Sequence, residues 1–367
     1  MTSSHYHPNS NELLSKESEK RNSAFDLAKG ICILLMVVGH SGAPLVLHDA
    51  IYMFHMPCFF IISGWLFKEK YIDNITLFVK RKFNTLWKPY FIWGLIFLCL
   101  GNIFIALHIS QPPYLTFKDF IVQGIGAATM LRIDHLLGGF WFLTSLFVSS
   151  IISILWYKVV GSKLLPIAIG IAVFTGGAIA ICYIGIKLPY INTRTLMAVT
   201  YFMAGTLLSR VKLTGIAFKI SLFIIAIFAI IYGVIFLMPV GMGDISFSQI
   251  PLYLIASTII SFALITLCFS VASSKSLIWL IKLGQRSMDI LIFHFLMFKI
   301  ISLIKIWHYG LPIERLADFP VINDANKIYW IAYVVVGVGG SLLLADGVAI
   351  VRRRFFNLFS RFSIINK

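Results

Sequence analysis

Carboxylates are scarce in this chain: 15 Asp and Glu stand against 31 Lys and Arg in 367 residues, leaving a formal net charge of +16. Charged residues of both signs make up 13%, against 59% hydrophobic and 15% aromatic, and the mean hydropathy is positive. So little charge excludes one or two soluble domains, which carry about 25% charged residues. A cationic excess can serve nucleic acid, but no basic stripe is interleaved with a soluble fold here. The cations punctuate long apolar runs instead, as positive loops on one membrane face would. No nucleic-acid partner is expected; membrane lipids are. Cysteine is scarce too. Cys32, Cys58, Cys99, Cys182 and Cys268 all lie inside apolar runs without paired spacing, so neither a disulfide framework nor a metal site is expected, and they read as small core residues.

Other signatures are missing. No Gly-rich phosphate loop occurs: Gly337, Gly339 and Gly340 form GVGG within the last apolar run, which suits close helix approach. The GHSG of Gly39 to Gly42 lacks the spacing of a nucleophile elbow and ends a membrane helix rather than a strand, so Ser41 is not read as a nucleophile. The absence of an internal repeat counts against inverted-repeat transporters. No small-residue cleavage site precedes the first apolar run, which is read as a retained span.

What is present is a series of runs each near the ~20 residues that cross a bilayer. They fall near 24–42, 50–67, 89–108, 139–157, 164–183, 195–209, 220–238, 250–271, 287–306 and 328–350, the sixth being short. The expected fold is all-α, a polytopic membrane protein of about ten transmembrane helices. Residues 1–23, polar and poor in apolar side chains, are expected to form a disordered cytoplasmic tail; 24–350 form the membrane domain and 351–367 a basic cytoplasmic tail. Lys and Arg between spans divide 22 to 7 in favour of the side holding both termini, the sparse side keeping Lys118, Arg132, Lys187, Arg194, Lys305, Arg315 and Lys327. Both termini are therefore expected to be cytoplasmic and the protein to lie in the inner, cytoplasmic membrane. Oligomeric state is left open. Within the outer stretch 109–138, TFKDFIVQGIGAATML is expected to form an interfacial helix, while 68–88 reads as a basic cytoplasmic loop with Pro89 fitted to the next helix start.

The first span is the unusual one. Phe25 to Gly42 reads FDLAKGICILLMVVGHSG, placing an acid, a cation and an imidazole in a segment otherwise fit for lipid. Eleven residues separate Lys29 from His40, which returns the helix to within about 20° of one face with the two side chains roughly 16 Å apart along the axis. Asp26 falls near the same stripe. Ionisable residues inside a span are expensive and mark function by default. Farther on, Tyr52 and His55 are spaced as helix neighbours, Ser63 and Gly64 suit tight packing near the inner end, and Trp141 suits an interface. Asp289 and His294, five apart, do not share a face. Asp346 is expected to pair on the cytoplasmic side near Arg352. Lys80, Arg81 and Lys82 form a cluster that can hold lipid headgroups or the phosphates of a soluble donor.

The D-L-A-K-G-I, G-H-S and Y-M-F-H-M-P-C-F-F-I-I-S-G segments resemble the opening of the acyltransferase 3 family of integral-membrane O-acyltransferases. Trp141 in GGFWFLTSLF and the GQRSMDILIFH of Gly284 to His294 resemble later segments of that family. The resemblance departs at Lys29, where the family usually has arginine, and at Lys80-Arg81-Lys82, which lacks a repeated arginine. It implies transfer of an acyl group, most simply acetyl from acetyl-CoA, from cytoplasmic acyl-CoA to a hydroxyl of a cell-envelope sugar or lipid-linked glycan. His40 would be the base or acyl carrier, with Lys29 and Asp26 beside the donor. Lys80, Arg81 and Lys82 would meet donor phosphates, and Tyr52, His55, Ser63, Trp141 and His294 would line the substrate site. A secondary transporter or flippase for a sugar or lipid-linked intermediate is the rival reading. The Lys29 to His40 pairing and the basic loop argue against it.

Overall fold

The computed structural model describes residues 10–365 apart from 187, 214, 237–240, 244 and 324–327, with side chains described between Ser23 and Arg354. Of the cations used for orientation, Lys187, Lys327 and Lys367 lie outside the described residues. Helix α1 runs Ser10–His40, followed by α2 (Leu45–Tyr52), α3 (His55–Trp65), α4 (Lys70–Asp73) and α5 (Ile75–Lys82). A π-helical turn at Phe83–Trp87 leads into α6 (Lys88–Ala106) and then α7 (Phe117–Ala128). A 3₁₀ turn, His135–Phe140, opens onto α8 (Trp141–Val159), α9 (Leu164–Ile184), α10 (Thr193–Leu208) and α11 (Ile216–Phe236). The chain closes with α12 (Ile250–Val271), α13 (Ile278–Gln285), α14 (Ser287–Tyr309) and α15 (Tyr329–Ile365).

The protein is all-α, with no strand among the described residues, and nine helical stretches among them are long and apolar enough to cross a membrane. The sixth expected span is α10, only 16 residues. That is about 24 Å, short of a ~30 Å hydrocarbon core. From Thr195 to Thr206 every side chain of α10 is buried, so it serves as an internal post against α3, α8 and α9. The backbone is helical from Ser10 and as far as Ile365, stretches where tails are expected. Neither 10–29 nor 348–365 contains a Gly or Pro to stop a helix.

The basic stretch expected as a loop is largely helical. Asn74 caps α5 by accepting the Leu77 N–H at 3.0 Å, and the π-helical turn carries the chain into α6 with Pro89 in its first turn, where a missing N–H costs little. Residues 109–138 do contain a helix, α7, begun by a reciprocal capping box between Thr116 and Asp119. It exposes Phe117, Ile121 and Ile125.

Glycines decide where backbones touch. A Cβ on Gly30 would run into the Leu280 carbonyl and one on Gly284 into that of Asp26, so α1 and α13 meet backbone to backbone. Gly64 and Gly205 do the same for α3 and α10, facing Phe202 and Ile61. In the GVGG run, Gly337 admits the Phe298 ring and Gly340 the Met297 side chain, while Gly339 faces open space.

Polar straps hold both ends. Arg286 binds Asp289 at 2.9 Å and Asp346 at 2.8 Å, and donates to the Leu342 carbonyl at 3.2 Å, tying the start of α14 to α15. Asp346, expected to pair, does so with Arg286; Arg352, six residues along its own helix, points about 120° away. At the other end, Lys299 donates to the carbonyls of Leu316 and Asp318, at 2.9 and 2.8 Å, and Lys305 to that of Ile322 at 2.8 Å. Two lysines inside a span therefore pin the segment after α14 across the bundle.

Candidate functional site

The end of α1 explains its own sequence. The Tyr52 ring lies where a Cβ on Gly39 would sit, so only glycine lets that ring close on the helix. Ser41, buried, donates to the Val38 carbonyl at 2.7 Å, which commits its hydroxyl to finishing the helix. Gly42, at φ +78°, then turns the chain. His40 is left projecting into a cavity of about 120 Å³ lined with Tyr52, His55, Trp141, Arg194 and Tyr253 among others. Its Nδ1 lies 3.2 Å from the Tyr52 hydroxyl, and its ring stands 5.7 Å from that of His294 and 5.0 Å from that of Phe295.

Three imidazoles thus gather at one end of the bundle, but they are held differently. His55 Nδ1 donates to the Ile51 carbonyl at 2.8 Å, and His294 Nδ1 to the carbonyls of Ile290 and Leu291 at 2.9 and 3.1 Å. Carbonyls only accept, so both rings carry their proton on Nδ1 and keep a lone pair on Nε2. His294 Nε2 is buried with no hydrogen-bond partner among the described residues. His40 instead meets a side-chain hydroxyl, which can accept from or donate to its ring. Tyr52 and His55 sit on separate helices, since α2 ends at Tyr52 and α3 begins at His55. Their rings still approach to 5.0 Å, because the intervening Phe54 leaves helical geometry at φ −145°.

Behind Tyr52 lies a pair that sequence reasoning missed. The His48 ring stacks on that of Tyr52 at 4.0 Å, and its Nδ1 lies 2.8 Å from Asp49 Oδ1. Asp49 is buried, with its other oxygen unpartnered among the described residues. A carboxylate in the apolar run of α2 is the signal that could have found it. Arg194, which in sequence is only an outer-side cation, is a second residue missed. Its guanidinium lies 5.2 Å from the centre of the Trp141 ring, and both residues line a second cavity of about 220 Å³ next to the first.

Asp26 and Lys29 are not in the His40 cavity. They bind each other at 2.6 Å, with Gln285 donating to Asp26 at 3.2 Å, about three to four turns before His40 on α1. Lys29 and Ser63 line a separate, mostly apolar cavity of about 250 Å³ with Phe59, Leu86, Phe142 and Met288 among its walls. Lys82 donates to Ser63 at 2.9 Å and lies over the rings of Phe78 and Phe202. The basic cluster therefore divides. Lys80 is exposed, Arg81 donates to the Tyr71 hydroxyl at 2.7 Å, and Lys82 turns inward to the rim of the Lys29 cavity. Consecutive helix residues point about 100° apart, so three in a row cannot form one clamp. No group of His, Cys, Asp or Glu suited to a metal ion occurs among the described residues.

Helix α1 thus carries an imidazole facing one cavity and, about three turns earlier, a cation lining another that is mostly apolar. A family profile described as an acyltransferase domain matches residues 22–347, and the chain belongs to that acyltransferase 3 family. Among curated proteins it is similar to the nodulation protein NolL of Mesorhizobium japonicum, 28% identical over 148 residues, 37% of this chain and 36% of that protein. The matched stretch thus spans about a third of that relative. No solved structure matches.

Proposed function

We propose that the protein is a membrane O-acyltransferase that moves a short acyl group, acetyl in the simplest case, from acyl-CoA to a hydroxyl of a cell-envelope sugar or lipid-linked glycan. The observation that carries this reading is the placement of His40 in a cavity shared with Tyr52, His55, Arg194 and Tyr253, its Nδ1 on the Tyr52 hydroxyl, on the same helix as Lys29 and its mostly apolar cavity. An alcohol attacks a thioester poorly until a base removes its proton, and an imidazole suits that task. With Nδ1–H donated to the Tyr52 hydroxyl, the Nε2 lone pair of His40 is available to the acceptor. The hydroxyl oxygen bonds to the thioester carbonyl carbon as its proton passes to Nε2. The tetrahedral intermediate then expels the CoA thiolate, which recovers that proton from the imidazolium.

Lys29 lies roughly 16 Å along the helix from His40, too far to touch the reacting carbonyl. Its role in this reading is to steer the remote part of the donor, which enters from the cytoplasm past Lys80 and Arg81, with Lys82 and Ser63 at the cavity rim. The apolar walls between accept the extended pantetheine arm, and the ~120 Å³ cavity at His40 favours a small acyl group. Both termini are cytoplasmic in this scheme, and the chain sits in the inner membrane. Purified protein incubated with labelled acetyl-CoA and candidate glycans tests it: label should pass to a hydroxyl. Sugar translocation without any loss of thioester would instead support the transporter.

A further inference from the structure

The acceptor side holds a feature that acyl transfer alone does not require. Arg194 stands where the His40 cavity and its 220 Å³ neighbour meet, lining both. Asn192 caps the start of α10 by accepting the Thr195 N–H at 3.1 Å, which fixes Arg194 in the first turn of a helix whose next turns are buried. The guanidinium lies against the Trp141 ring at 5.2 Å and close to Gly243, where a Cβ would collide with it. Among the described residues, none lining either cavity carries a carboxylate, and Arg194 has no ion-pair partner. The remaining polar walls of the second cavity are neutral: Tyr90, Thr144, Ser145, Tyr190, Asn192 and Thr195. Leu131 and Ile133 continue from it into an outer groove of about 910 Å³.

A half-buried guanidinium without a counter-ion among the described residues has lost hydration that an aromatic face only partly replaces. Its planar fork is matched by a carboxylate or a phosphate, both of which present paired oxygens. The neutral hydroxyl and amide walls suit sugar hydroxyls. Resting on the acyl-transfer reading for the location of the acceptor, we infer that Arg194 forms an oxyanion-binding subsite and that the acceptor is an anionic glycan. Its charged group, a sugar carboxylate or a glycosyl phosphate, sits on Arg194 beside Trp141. A neighbouring hydroxyl is thereby presented to His40.

Equilibrium binding to the purified full chain, without donor, tests the subsite with three probes: glucuronate, glucose 1-phosphate and glucose. One or both anionic probes should bind more tightly than glucose, and the tighter one identifies the source of the charge. Arg194→Gln should weaken the anionic probe by about 10- to 100-fold, the effect of removing a hydrogen-bonded charge, while leaving glucose unchanged. Gly243→Ala, which displaces the guanidinium without deleting it, should weaken the same probe and carries the test if Arg194→Gln does not fold. Equal binding of all three probes, no saturable anion binding, or anion binding indifferent to both variants overturns the subsite. Passage of labelled acetyl from acetyl-CoA to an acceptor hydroxyl by the wild-type protein separates the two readings. Arg194-dependent anion binding without acetyl transfer to any acceptor would retain the subsite and reject acyl transfer; acetyl transfer without anion binding would do the reverse.

Discussion

Replacing Tyr52 by Phe removes one hydroxyl and leaves the ring against Gly39 and stacked on His48 at 4.0 Å. With the hydroxyl goes its 3.2 Å approach to His40 Nδ1. In the resting enzyme this bond joins neutral groups and is worth about 0.5–1.5 kcal/mol, whereas a bond to a charged group is worth about 1.5–3 kcal/mol. Proton uptake by Nε2 makes the imidazole cationic, so the bond strengthens as the transition state forms. The difference, about 1–2 kcal/mol, corresponds to roughly a 5- to 30-fold fall in kcat. KM for the donor should be unchanged, since Tyr52 does not line the Lys29 cavity. The assay is CoA thiol release from acetyl-CoA at saturating acceptor. Adding Tyr52→Phe to His40→Ala should cost nothing further, because the hydroxyl acts through the imidazole. An unchanged kcat in the single variant, or an equal additional loss in the double variant, would refute this coupling.

The inner end and the helix packing give further tests. Lys80→Gln with Arg81→Gln should raise KM for acyl-CoA and high salt should mimic it, exposed charges being screened; a KM insensitive to both returns these cations to lipid contact. Lys29→Arg should keep most activity while Lys29→Ala loses it, measured as kcat/KM for the donor, because the role assigned to the cation is electrostatic. Gly64→Val should lower the melting temperature of the detergent-solubilised protein, since overpacking costs about 1–3 kcal/mol or more where the helix faces the Phe202 backbone; an unchanged melt would contradict that close approach. A reporter fused after Lys367 should behave as cytoplasmic and one within 109–138 as external, and reversed signals would reject the orientation.

Much of this was legible because a membrane makes polar residues anomalous. His40, His55 and His294 each interrupt an apolar run, and the structure brings all of them to one end of the bundle. The one-helix relation of Lys29 to His40 needed only the helical repeat. Relations between distant segments were not legible. Arg194 is a boundary cation by sequence, and only the meeting of α8 and α10 places it over Trp141. Asp346 is local by sequence, and only the approach of α15 to α14 gives it Arg286. Nothing in FNTLW announces a π-helical turn, so a helix reads as a basic loop. Asp49 does carry a signal, a carboxylate in an apolar helix, but its neighbours Tyr52 and His55 are the more conspicuous pair.

The assignment of His40 as the base is tested most directly by His40→Ala. Turnover of acetyl-CoA with a competent acceptor should fall by about 10² to 10⁴, the range for removing a general base. Expression and melting temperature should be retained, because His40 faces a cavity. A well-folded His40→Ala protein with near-normal turnover would contradict the assignment.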